Sequence, residues 1–158
     1  MQVVELTTGI QCAELQQHLN PLELARVSAA LAREYGGAIL AVERNNHGSG
    51  VIAYVSAVER YRKLYEHGGQ AGWLTSAASK PEMVNRIAVQ LVESPWLFLS
   101  RALLEECRTF INRANGGSGA ANGAHDDCVM AMAIAQSVRA EWLGGGAERW
   151  RRKAGAVS

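Results

Sequence analysis

Three carboxylates stand where the texture of this sequence changes abruptly. Glu43 closes the apolar run Ala38-Ile39-Leu40-Ala41-Val42 and is followed by polar Arg44-Asn45-Asn46-His47 and then Gly48. Asp126 and Asp127, preceded by His125, stand where a Gly-, Ser- and Asn-rich stretch gives way to Cys128-Val129-Met130-Ala131-Met132-Ala133-Ile134-Ala135. A buried strand that delivers one acid at its end, and a helix that delivers another, is how a protein assembles a divalent-metal site from distant segments. Asp at a helix start also has a local use. Asp126 can cap the helix by accepting from free backbone N–H groups, and Asp127 is then a first-turn acid kept ionised by the helix dipole.

The elements that must hold these groups can be read from spacing. Gln2–Glu5 and Ile10–Leu15 flank Thr7-Thr8-Gly9 and predict a hairpin. Asn20-Pro21-Leu22-Glu23 is a helix start, with Asn20 as cap, Pro21 at the first helical position and Glu23 three residues after the cap. Leu24, Val27, Leu31 and Tyr35 give that helix an apolar stripe, and Gly36-Gly37 end it. Ala38–Glu43 predicts a strand covered on both faces. A second helix is expected over Gly48–Tyr61 with Val51, Val55 and Val58 on one side, a short strand over Lys63–Glu66, and a loop over His67–Thr75. Ser79-Lys80-Pro81-Glu82 opens a helix with Met83, Ile87 and Leu91 inward. Trp96–Leu99 predicts an edge strand, Ser100–Glu105 a helix, and Thr109–Asn112 a strand. Asn115–Gly123, with four Gly, one Ser and two Asn, predicts a flexible loop before a last helix from about Asp126 to Trp142. A hairpin, a helix and then a buried strand imply an α/β architecture rather than a bundle.

Composition bounds the rest. The 158 residues are 48% hydrophobic and 20% charged, as in a globular domain with a core of its own. No run reaches the roughly 18 apolar residues of a membrane span, and no basic-then-apolar leader is present at the start. Cys12, Cys107 and Cys128 are odd in number and widely spaced, as expected of reduced, cytosolic thiols. The formal net charge of +1 places any attraction for nucleic acid in local patches. The reading is one domain over residues 1–143 and a flexible basic tail over 144–158.

Glu43-Arg44-Asn45-Asn46-His47-Gly48 and Ala124-His125-Asp126-Asp127-Cys128-Val129-Met130-Ala131 resemble the second and third acidic motifs of the nuclease domain of phage terminase large subunits. Gly72-Trp73-Leu74-Thr75, the Lys80-Pro81 helix start and Leu104-Glu105-Glu106-Cys107-Arg108-Thr109-Phe110 resemble intervening parts of that family, so the likeness spans roughly residues 2–140. It implies a ribonuclease H-like fold, a mixed sheet flanked by helices. It implies a metal-dependent endonuclease (a hydrolase) that cuts concatemeric viral DNA during genome packaging, in the cytoplasm of a bacterial host carrying a phage or prophage. It implies two Mg²⁺ or Mn²⁺ ions on a carboxylate cluster: Glu43 as a ligand from its strand end, Asp127 as the inner ligand from the helix, and Asp126 as cap or outer partner. His125 would orient a carboxylate, contact phosphate or move a proton. Asn45, Asn46, His47 and Lys80 would meet DNA or hold the loops that do, and Arg149, Arg151, Arg152 and Lys153 would grip phosphate. The partners implied are double-stranded DNA, the terminase ATPase domain, the small terminase subunit and the portal.

Two family parts are expected and not found. No GxxxxGK[ST] loop marks an ATPase. The family's first acidic motif, an Asp on a strand ahead of the hairpin, has no counterpart before Glu43, so the chain reads as N-terminally truncated with the first strand missing. A missing central strand leaves unpaired edges, and these predict a homo-oligomer through the exposed sheet edge or a local rearrangement. The alternative function is a catalytically inactive prophage remnant that acts only as a DNA- or portal-binding module. A zinc module on His125, Cys128 and Cys107 lacks an evident fourth ligand. A junction-resolving nuclease of the same superfamily would share the acidic cluster alone.

Overall fold

Asn20 begins the first helix by the local rule its sequence suggests. Its Oδ1 accepts from the Glu23 N–H at 3.0 Å, and Glu23 Oε2 accepts from the Asn20 N–H at 3.1 Å, a complete capping box. In this computed structural model, which describes residues 1–45, 47–113 and 117–146, the helices are α1 (Pro21–Glu34), α2 (Gly48–Ala57), α3 (Ser79–Glu93), α4 (Arg101–Thr109) and α5 (Asp127–Glu141). The strands are β1 (Gln2–Val4), β2 (Gln11–Glu14), β3 (Glu66–His67), β4 (Gln70–Ala71), β5 (Phe110–Asn112) and β6 (Ser118–Ala120). The class is α/β. Among the described residues the strands pair as three two-stranded antiparallel ladders, β1–β2, β3–β4 and β5–β6, with isolated parallel bridges besides. No helix among them is long and apolar enough to cross a membrane. Replacing Asn20 with Ala removes half of the capping box; the expected loss is about 1 kcal/mol in denaturant unfolding.

The chain divides into two compact units, Met1 with Leu15–Glu82, and Gln2–Glu14 with Met83–Ser158. In the first, α1 packs on α2 through Ala25, Ala29 and Ala32 against Val51 and Val55, joined by Tyr61 and Leu64. The buried face of α1 is thus the small-residue face, one position round from the Leu24, Val27, Leu31 and Tyr35 stripe expected from the sequence. Small side chains let two helix backbones approach closely, so the alanines go inside, while Tyr35 stays exposed. α2 ends at Ala57, and Val58 is exposed.

The Ala38–Glu43 run is extended but only half-buried, and it pairs through single parallel bridges, Leu40 with Leu64 and Glu43 with Trp73. Between those bridges residues 66–71 leave the pairing as the β3–β4 hairpin. The loop expected over His67–Thr75 therefore carries a strand pair and the second bridge.

In the second unit α5 is buried along most of its surface by Cys128, Val129, Met132, Ala133, Ile134 and Val138, as a helix apolar all round should be. Gln136, 1% exposed, donates its Nε2 to the Gly9 carbonyl at 2.7 Å, and Arg139 donates to the Leu6 and Thr7 carbonyls, so α5 clasps the β1–β2 turn. That turn is also tied internally. The Thr7 and Thr8 N–H groups and then their hydroxyls donate to the Glu5 carboxylate and hold its pKa down at about 2.

Two expectations change here. Trp96–Leu99 is not an edge strand: Pro95–Leu97 form a 3-10 turn closed by Phe98 N–H to Pro95 O at 3.2 Å. The Leu99 and Ser100 N–H groups donate to Gln11 Oε1, each at 2.7 Å, so a side chain supplies the acceptor that a neighbouring strand would have supplied. And the glycine-rich stretch before α5 contains β6, paired in register with β5 from Phe110↔Ala120 to Asn112↔Ser118.

Candidate metal and nucleic-acid site

Asp126 occupies the N-cap position of α5, but its side chain makes no capping hydrogen bond. Its Oδ2 instead accepts from the Ala120 N–H at 3.3 Å, over Gly119, where a side chain would crowd the carboxylate. The cap comes from elsewhere. Glu106 of α4, 9% exposed, accepts from the Cys128 N–H at 2.7 Å and the Val129 N–H at 3.2 Å through one carboxylate oxygen. A buried carboxylate on the positive end of a buried helix answers both the orphan donors and the dipole. The expected roles of the Asp pair are corrected accordingly: Asp126 ties α5 to β6, and Glu106 is the cap.

This division of labour leaves Asp127 in solvent. Its side chain is 83% exposed, and His125 Nδ1 lies 4.0 Å from Asp127 Oδ2. The pair is ionic only when the imidazole is protonated. His125, Asp126 and Asp127 are therefore brought together, with Asp127 presented outward at the first turn.

Glu43 belongs to the other unit. It bridges Trp73, with the Arg44 N–H donating to Trp73 O at 2.8 Å and the Trp73 N–H to Val42 O at 2.8 Å. Its carbonyl oxygen lies against Gly48, at a distance that leaves no room for a Cβ there. Asn45 stands close by; its Nδ2 donates to Thr75 O at 2.8 Å. His47 precedes α2, exposed and without a side-chain capping bond. Lys80 lies in the first turn of α3, its N–H donating to Ser76 O at 3.0 Å. Ser76 and Ser79 exchange backbone-to-hydroxyl hydrogen bonds at 2.9 and 3.1 Å just ahead of α3, which starts at Ser79 as expected. Asn46, Arg149, Arg151, Arg152 and Lys153 lie outside the described residues.

The donor set is carboxylate oxygen, which suits a hard divalent cation, and Asp127 is not spent on a cap. Among the described residues no group of three or more His, Cys, Asp or Glu side chains gathers to hold a metal ion. Burial and then the Glu106 charge push the Cys128 thiol up to about 12 and raise that of Cys107.

Sequence reasoning passed over Glu106, Gln11 and Gln136. For Glu106 a signal existed: it falls three residues after Leu103, on the inward stripe of α4, where an acid requires a buried partner. No family model matches this chain, and no curated protein matches it either.

Proposed function

We propose that this chain is a metal-dependent DNA endonuclease domain of the terminase type, ribonuclease H-like in fold, with Glu43 and Asp127 as its cation-holding carboxylates. The observation that carries the reading is the release of Asp127 from capping: Glu106 takes the helix donors, Asp126 takes the β6 amide, and Asp127 is left to project into solvent beside His125. The order and context of the two acidic motifs support it. So does the placement of Glu43 at the end of an apolar extended run.

Divalent cations, when bound, supply charge that stabilises the attacking and leaving oxygens of a phosphodiester. The protein's part is positional. Glu43 and Asp127 provide the oxygens, His125 beside Asp127 orients a carboxylate, contacts phosphate or moves a proton, and Asp126 keeps the turn between β6 and α5 in place. Asn45, Asn46, His47, Lys80 and the basic residues from Arg149 to Lys153 are the groups proposed to meet double-stranded DNA. The ATPase domain, small terminase subunit and portal are the proposed partners, and the cytoplasm of a bacterial host the proposed setting.

Plasmid cleavage in Mn²⁺ or Mg²⁺ tests the reading, comparing the chain with Glu43→Ala and Asp127→Ala. Cutting by the parent that vanishes in both variants is the expected result. If neither this chain nor a form extended by a Gly-x-Asp strand ahead of Met1 cuts, the chain is a binding module for DNA or the portal.

A further inference from the structure

The extended run ending at Glu43 uses only one of its two edges. The Leu40 N–H donates to Lys63 O at 2.9 Å, and Leu40 O accepts from the Tyr65 N–H at 3.0 Å. Val42 O accepts from the Trp73 N–H and the Arg44 N–H donates to Trp73 O, each at 2.8 Å. All of these groups belong to even-numbered residues. In a strand the backbone groups of alternate residues point to opposite edges, so the N–H and C=O of Ile39 and Ala41 and the N–H of Glu43 face the other way. Among the described residues none of them makes a hydrogen bond. Glu43 O faces that edge too, but it lies against Gly48. Leu40 and Val42 pack on the α1–α2 core, which leaves Ile39, Ala41 and Glu43, all half-buried, on the opposite face.

An unpaired edge is a template for a further strand, and natural edges are blunted by Lys, by Pro or by inward-pointing charges. Ala38-Ile39-Leu40-Ala41-Val42 carries none of these. A second copy of the chain brings the same unmet donors and acceptors, so one pairing satisfies both edges. Charge and the covered carbonyl then select the register. Parallel pairing of two copies in register sets Glu43 against Glu43, and like charges directly opposite are destabilising. Antiparallel pairing centred on Glu43 does the same and needs the carbonyl that Gly48 covers. Centred on Ile39, it sets Ala41 against Gly37, whose carbonyl already accepts from Lys63 Nζ at 2.8 Å. Centred on Ala41, it sets Ala41 against Ala41 and Ile39 against Glu43, with small side chains at the axis and no like charges opposed. The Ala41 N–H then donates to the partner's Ala41 O, and the Glu43 N–H to the partner's Ile39 O, in both directions.

We infer that this chain pairs with a second copy of itself, antiparallel along the Ile39–Glu43 edge, with the two-fold axis at Ala41. Such a pair uses the same edge of both copies and closes on itself. A few backbone hydrogen bonds fall short of a standard interface of roughly 1,200–2,000 Å², so the dimer is weak and dissociates on dilution. The inference is independent of the nuclease reading, which uses the Glu43 carboxylate and not its amide.

Sedimentation velocity of the full chain over a dilution series is the first test, and it should pass from dimer to monomer. Ala41→Pro removes a donor that the single chain does not use, and Pro is tolerated at an open edge. That variant should keep its circular dichroism and lose the dimer at every concentration. Cysteine placement reads the register, in a Cys12→Ser background that removes the exposed native thiol. Residues facing each other in a hydrogen-bonded antiparallel pair have Cα atoms about 5.5 Å apart, within the roughly 4.4–6.8 Å that a disulfide spans. Ala41→Cys should therefore cross-link to itself on oxidation, and Ile39→Cys, which faces Glu43, should not. A dimer that survives Ala41→Pro uses another surface and overturns the inference, as does equal cross-linking of the two cysteine variants. A parent that stays monomeric at every concentration overturns it too. Deuterium exchange at the Ala41 amide then says what replaces it: slow exchange assigns the edge to another segment of the same chain, and fast exchange leaves it to a different partner.

Discussion

Alanine at Gly48 is expected to cost about 3 kcal/mol or more, beyond the ordinary range for overpacking, and to disable Glu43 as well. Gly48 is buried at the start of α2, and a Cβ there would be built onto the Glu43 carbonyl oxygen, with the Glu43 carbonyl carbon at 2.7 Å and Val42 Cγ1 at 3.8 Å. A side chain could rotate away from such a contact, but a backbone carbonyl cannot without moving the bridge to Trp73. The Gly48 N–H also donates to Asn45 O at 3.1 Å, so any retreat pulls on the residue that orients the turn. Thermal unfolding and Mg²⁺ calorimetry of Gly48→Ala should therefore fall together. Gly50→Ala is the control, since nothing lies within 4 Å of its added carbon. If Gly48→Ala matches Gly50→Ala in both measurements, the close approach is not what positions Glu43.

Glu106→Ala should be nearly as damaging, at about 3 kcal/mol, because a charged acceptor is lost and two buried N–H groups are left without one. Its single oxygen serves both Cys128 and Val129 at the head of the most buried helix of its unit. Glu106→Gln keeps an acceptor and gives up the charge, so about 1 kcal/mol is expected from it, the size of a neutral hydrogen bond. A second readout is independent of stability. The Cys128 thiol owes its value of about 12 first to burial and then to Glu106, so in Glu106→Gln it should titrate lower while remaining above an ordinary thiol. Thiol alkylation followed against pH measures this. A Glu106→Gln protein whose Cys128 titrates as before would remove the carboxylate from its assigned place.

What was legible in the sequence was what is decided within a few residues. The Asn20–Glu23 box, the Gly9 turn and the inward Met83 and Ile87 of α3 all follow from local spacing, and the structure has them. The α/β class follows from the order of such pieces. What was not legible depends on partners far along the chain. Asp126 has the right residue type and position for a cap, but Glu106, 22 residues before Cys128, takes the helix donors instead. Trp96–Leu99 has a strand's composition, yet the acceptor for its end is the Gln11 side chain, which no periodicity announces. β6 hides among glycines because its pairing with β5, not its own propensity, makes it a strand. At the site, the acids stood out by their context. So did Asn45, but the buried Thr75 hydroxyl did not, because it looks like any loop residue until its burial is known.

The clasp of α5 on the β1–β2 turn also sets a schedule. Gly9 and Gln136 are joined across 127 residues, and the hairpin belongs to the same unit as the chain's later half. A ribosome delivers the hairpin first and its clasp last, after the α1–α2 unit has emerged entire. Synthesis order and assembly order therefore run opposite for these residues. For most of translation the hairpin turn waits without its Gln136 and Arg139 contacts.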